Sequence, residues 1–113
     1  MTSDQTYTLP DRLTLRARLL AVDDDPHLQK RFYPLLERRA GRRLNGVGVL
    51  NTILFSIYDY AGEMPSAVAT VMKVRMDEWI NALCPDTVVA EDARAHWNAV
   101  QGVSAPSGYG AVE

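Results

Sequence analysis

The stretch Leu19-Leu20-Ala21-Val22-Asp23-Asp24-Asp25-Pro26-His27-Leu28 decides how the chain is read. Three acids closed by a proline sit between two apolar segments. They mark either a junction between two helices or an acidic site at the end of a strand. In the helical reading Asp25 is an N-cap and Pro26, which has no N–H to lose, is the first helical residue. Asp23 and Asp24 then lie near the positive end of the helix dipole. The preceding segment, Leu9 to Val22, fits both readings. Leu9, Leu13, Ala17 and Leu20 share a helical face, whereas Leu13, Leu15, Ala17 and Leu19 alternate with Thr14, Arg16 and Arg18 as in a strand. Leucine, arginine and alanine are good helix formers and β-branched residues are few, so a helix is expected.

Working outward, the helical pattern repeats. The segment from Pro26 to about Arg39 contains Pro34, which should kink or split it, and Gly41, which should stop it. Next, Leu50, Ile53, Leu54, Ile57, Tyr58 and Ala61 recur at helical spacing, with Asn45 or Asn51 to cap the start and Gly62 the end. This phase predicts that Thr52, Ser56 and Asp59 face outward, with Phe55 beside them, and that Tyr60 is outward too. A fourth segment starts at Pro65 or Ser66 and stops before Pro85. Its stripe is Val68, Met72, Trp79 and Leu83, flanked by Val71 and Met76. Arg75 falls within that stripe, so a buried guanidinium would need an acid, with Asp59 and Asp92 the first candidates. Otherwise its stem snorkels to the edge. The fifth begins near Asp86 or Thr87 and offers the seam Val89, Ala93, Trp97 and Val100. The breakers Gly62, Pro65 and Pro85 imply short connections and antiparallel neighbours. The expected fold is all-α, a compact bundle of four or five short helices over residues 9–101. Residues 1–8 are expected to be loose. Residues 102–113, rich in Gly, Ser, Ala and Pro, are expected to form a flexible polar tail.

The chain has 113 residues, 47% of them apolar and 23% charged, which suits one domain with one core. A single cysteine, Cys84, excludes an internal disulfide, and the polar start lacks a secretory signal, so a cytoplasmic location is expected. The uncharged run Leu44 to Tyr58 is too short and too polar to span a bilayer. Net charge is −2, but residues 1–43 carry nine basic and six acidic residues and residues 44–113 carry three and eight, a split of +3 and −5. Such halves can attract each other within the chain or between copies.

The opening stretch, followed by Leu35-Leu36-Glu37-Arg38-Arg39-Ala40-Gly41, resembles the start of two-component receiver domains. There an apolar first strand ends in an acidic pair that helps bind magnesium, and a helix follows. The resemblance implies a parallel sheet, phosphotransfer chemistry and magnesium ligation by Asp23 and Asp24. It covers about a fifth of the chain, Leu19 to Gly41. The remainder departs from the pattern. Asp59, the one candidate phosphoacceptor, lies 35 residues after Asp24, closer than the family's spacing, and leads into Gly62-Glu63-Met64-Pro65. No strand-and-lysine pattern follows Arg75.

Arg38, Arg39, Arg42 and Arg43 form the densest charge cluster and, with Lys30 and Arg31, could meet a phosphate backbone. No aromatic residue is interleaved among them, and arginines at a helix C-terminus also answer the dipole. Asp92 and His96 stand at i and i+4, a spacing that lets a carboxylate orient an imidazole, yet His27 is the only other histidine. The paired Glu-x-x-His motif of helical di-metal proteins is absent, as are glycine-rich phosphate loops and Gly-x-Ser-x-Gly. No metal or cofactor is expected, and no catalytic residue. The sequence therefore points to a non-enzymatic interaction or assembly subunit that binds a protein partner or its own copies. Candidate contacts are Phe55, Tyr60 and Tyr109. A nucleic-acid-binding accessory protein using the arginine cluster is the alternative, and a receiver-like domain comes third.

Overall fold

The structure is a computed structural model and describes residues 5–62, 71–85 and 87–104, with side chains to residue 101. It is a helical bundle. Helix α1 spans Arg12–Val22, and Asp11 caps it by accepting the Thr14 N–H at 2.8 Å. Leu15 and Leu19, one turn apart, face the core, while Leu13 is 84% exposed and Ala17 is exposed. The helical reading of this segment holds and its expected phase does not. Leu9 is buried from an extended approach to the helix, with its N–H on the Arg42 carbonyl at 2.9 Å, so it does not set the helix face.

The acidic junction behaves as a helix cap. The His27 N–H reaches the Asp25 carboxylate at 2.9 Å and the Gln29 N–H reaches the Asp25 carbonyl at 3.1 Å. Proline 34 has no N–H to offer the carbonyl four residues back. The register opens just before it into a π-helical turn, Leu28–Phe32, closed by the Tyr33 N–H on the Leu28 carbonyl, and α2 follows at Tyr33–Glu37. The extra residue in that turn places Phe32 and Tyr33, neighbours in sequence, both in the core. Gly41 then adopts φ +80°, a conformation natural to glycine, and its N–H bonds back to the Leu9 and Pro10 carbonyls. That turn brings β2 (Arg43–Leu44) antiparallel to β1 (Tyr7–Thr8), pairing Tyr7 with Leu44. Tyr7 and Thr8, expected in a loose segment, are thus held by a ladder.

Helix α3, Gly46–Ala61, is capped by Asn45, whose side chain accepts the Gly48 N–H at 2.8 Å, and ends at Gly62. Residues 71–74 form one helical turn. Arg75 breaks it (φ −93°, ψ 18°) before α4, Met76–Leu83, and α5 runs Val88–Ser104. Thr87 caps α5, accepting the Ala90 N–H at 3.1 Å; Asp86 and Val68 lie outside the described residues. Helix α3 packs most extensively against α5. A Cβ on Gly46 would sit 2.8 Å from Asp92 Cβ, so the two helices approach here only because residue 46 is glycine. Thr52 and Ser56 are buried rather than outward, and the Thr52 hydroxyl is satisfied by the Gly48 carbonyl at 2.8 Å. Val100 is exposed, so the α5 seam closes at Trp97. At the centre, Trp79 stacks edge-on against Phe32 and Tyr33, with centroids 5.5 and 5.8 Å away.

The one sheet among the described residues is that two-stranded antiparallel pair. The parallel sheet implied by the receiver resemblance is not there, because the segment before Asp23 is helix α1. No helix among the described residues is long and apolar enough to cross a membrane.

Candidate functional site

Three features of the surface could carry function. The first is a cavity of about 300 Å³ where the α1–α2 junction, the end of α3 and the broken fourth helix meet; it is lined by Asp23, Asp25, His27, Tyr60, Arg75 and Trp79 over Leu28, Val71 and Met72. Asp23 is positioned by the end of α1. Its carboxylate accepts the Asp25 N–H at 3.0 Å and pairs with the Arg75 guanidinium. Arg75 can reach it because the helix breaks there. The expected partners of Arg75 are therefore corrected. Asp59 is exposed on α3, and Asp92 lies against Gly46 and 3.6 Å from His96. The Tyr33 hydroxyl donates to the Leu19 and Asp23 carbonyls from below. Its burial, and then the nearby Asp23 charge, push the phenol well above the usual tyrosine range.

Tyr60, expected outward, is 3% exposed. Its hydroxyl meets His27 Nδ1 at 2.7 Å, its ring packs on Phe32, and burial followed by the Asp25 charge raises its pKa. The indole N–H of Trp79 is buried without a hydrogen-bond partner, alone in this among the described side chains. Such an orphan donor costs about 1–3 kcal/mol unless something supplies an acceptor. Asp24, the other expected magnesium ligand, is exposed. Among the described residues no group of three or more His, Cys, Asp or Glu is placed to hold a metal ion.

The second feature is the outer side of α3. Val47, Leu54, Phe55 and Tyr58 fall at i, i+7, i+8 and i+11 and so share one side, opposite the core line of Val49, Ile53, Ile57 and Tyr60. Phe55 is 60% exposed, Tyr58 53% and Val47 38%, with Leu54 half-buried beside them. Lys73 stands over the Tyr58 ring, 4.8 Å from its centroid. Asp59 is the only charged residue of the helix. Phe55 is outward as expected; Tyr58 and Tyr60 exchange places; Tyr109 lies outside the described residues.

The third is the arginine turn. Arg38, Arg39 and Arg42 on the loop after α2, and Arg43 at the start of β2, are all exposed. The Gly41 bonds to Leu9 and Pro10 draw that loop against the start of α1, where Arg12 is also exposed. The nearest buried acid, Glu37, is already held by Arg16 and lies 4.0 Å from Arg12.

Sequence reasoning found Arg75 by its charge within an apolar stripe and Phe55 by its phase. It missed the cavity, whose groups come from four separate segments. No protein-family model, no curated protein and no solved structure matches the chain.

Proposed function

We propose that the protein is a non-enzymatic interaction subunit that docks a protein partner on the outer side of α3. One observation carries this reading: α3 carries apolar residues on two opposite sides, and among the described residues the bundle buries only one. Isolated exposed apolar residues are ordinary, but here Val47, Phe55 and Tyr58 form a stripe with no charged residue of α3 between them, and Lys73 borders it at Tyr58. An aromatic pair at the centre of a stripe is what a helix-docking surface offers a partner. The test uses the tagged full chain and its Phe55→Asp variant as parallel baits in nuclease-treated extracts of the native cells. A partner retained by the wild type and lost with the folded variant is the expected result. Equal retention by both overturns the assignment.

A second reading rests on the arginine turn, because Arg38, Arg39, Arg42 and Arg43 are exposed together beside the start of α1 and none of the four forms an ion pair with an acid among the described residues. Contact with a nucleic-acid backbone there predicts binding that weakens steeply with salt and is lost when Arg38, Arg39, Arg42 and Arg43 are replaced together. Undetectable binding at low salt removes it.

A further inference from the structure

The outer side of α3 is graded along its length, in size and in charge. Val47, Gly48 and Asn51 make up its N-terminal half, and Leu54, Phe55 and Tyr58 its C-terminal half. Small residues on low relief thus give way to a ridge of large ones. Charge follows the same axis. Arg42 and Arg43 stand exposed just before the Asn45 cap, and Asp59 stands exposed in the last turn. None of these three forms an ion pair among the described residues. Lys73 borders the Asp59 end and stands over the Tyr58 ring. The signs are the reverse of what the helix itself favours. Its dipole is positive at the Asn45 end, where the arginines are, and negative at the Gly62 end, where Asp59 is. Each end therefore presents a charge that the monomer leaves unanswered.

We propose that the partner docked on this side is a second copy of the chain, packed as an antiparallel pair of α3 helices. The inference rests on the outer side of α3 being a docking surface and adds what occupies it. A parallel copy would set ridge on ridge and like charge beside like. An antiparallel copy, related by a two-fold axis across the middle of the helix, sets the ridge of each on the low half of the other. Val47 then faces Tyr58 of the second copy, and Phe55 lies over its Gly48 and Asn51. Asp59 of each copy comes toward Arg42 and Arg43 of the other, and the two dipoles run oppositely. A surface that matches itself when turned end for end is what a two-fold contact requires. Helix α3 has 16 residues and is therefore about 24 Å long. One face of that length falls short of the roughly 800 Å² per partner of a standard interface, so the dimer is weak and concentration-dependent.

Sedimentation equilibrium of the full chain, from about 1 μM to about 1 mM, tests the association. A reversible monomer–dimer equilibrium is expected. Phe55→Asp, folded as judged by its unfolding midpoint, should weaken it by at least about tenfold. Asp59→Arg and Arg43→Asp should each weaken it about twofold to fivefold, and the double variant should regain the loss. Orientation is read by cross-linking under copper-catalysed air oxidation, with the wild type, whose Cys84 is buried, as the control. Val47→Cys and Tyr58→Cys should form a disulfide-linked dimer when mixed, and neither should do so alone. Like positions lie about 16 Å apart along an antiparallel pair, beyond the reach of a disulfide. If Phe55→Asp fails to fold, this cross-link decides in its place, since neither cysteine adds charge to the stripe. The proposal is overturned by a chain that stays monomeric at about 1 mM, by a dimer that a folded Phe55→Asp leaves unchanged, or by cysteine variants that cross-link only to themselves. A monomeric chain that captures a different protein through Phe55 ends the self-pairing and leaves the docking surface standing. A monomeric chain with no Phe55-dependent capture ends both.

Discussion

Tyr58 and Tyr60 are the same residue two positions apart, and their replacement by alanine should have opposite consequences. Tyr60 is 3% exposed, packs its ring 5.6 Å from Phe32 and closes a hydrogen bond with His27. Truncation removes a buried aromatic ring and leaves a cavity, a loss of about 3–5 kcal/mol. That is a large share of the roughly 5–15 kcal/mol that holds a small domain together. Tyr58 is 53% exposed, and its one specific contact among the described residues is the Lys73 ammonium over its ring. An exposed cation–π contact is worth about 0.5–1 kcal/mol, so Tyr58→Ala should cost about 1 kcal/mol or less. Urea unfolding followed by far-ultraviolet circular dichroism measures both. With a slope of about 1–3 kcal/mol per molar, Tyr60→Ala should lower the midpoint by more than about 1 M and Tyr58→Ala by well under that. Tyr60→Phe keeps the ring and isolates the hydroxyl, for which about 1 kcal/mol is expected. If Tyr58→Ala proves the more damaging variant, α3 faces the core with its other side and the docking stripe disappears with it.

Phe55→Asp should unfold within about 0.5 kcal/mol of the wild type while losing its partner; a cooperative transition at an unchanged midpoint is the check. Gly41→Ala should cost about 1 kcal/mol in thermal or urea unfolding, since no atom lies within 4 Å of the added Cβ and the penalty is that of a side chain at φ +80°. Gly41→Asn should cost less. Thr87→Ala removes the α5 cap and should cost about 1 kcal/mol, read as a lowered midpoint. Alkali should destabilise the fold through its buried phenols. Tyr33 and Tyr60 are both raised above their ordinary 10.0. The neutral phenol is therefore favoured in the folded state, and its stabilisation is complete below pH 10 and is lost as pH rises through the folded values. Urea midpoints should fall above pH 10, and the Tyr33→Phe/Tyr60→Phe pair should flatten that fall; an unchanged slope would refute the assignment.

The sequence by itself determined the helical segments and much of their punctuation. Asp25-Pro26, Asn45, Gly41, Gly62 and Thr87 act within a few residues of where they stand, so capping and stop chemistry could be read without knowing what lies across the core. The break before Pro34 was legible for the same reason, though not its form as a π-helical turn. The outward Phe55 and the anomalous Arg75 were legible as departures from pattern. Only the tertiary structure decided which side of α1 and α3 is buried. Helix α3 carries apolar residues on opposite sides, so periodicity alone does not choose a face, and the choice falls to the packing of α5, which approaches α3 closely at Gly46. Only tertiary structure, too, could pair Arg75 with Asp23 across 52 positions and gather Asp25, His27, Tyr60 and Trp79 around one cavity. Contacts between distant segments depend on the global packing of the helices, which no local spacing records.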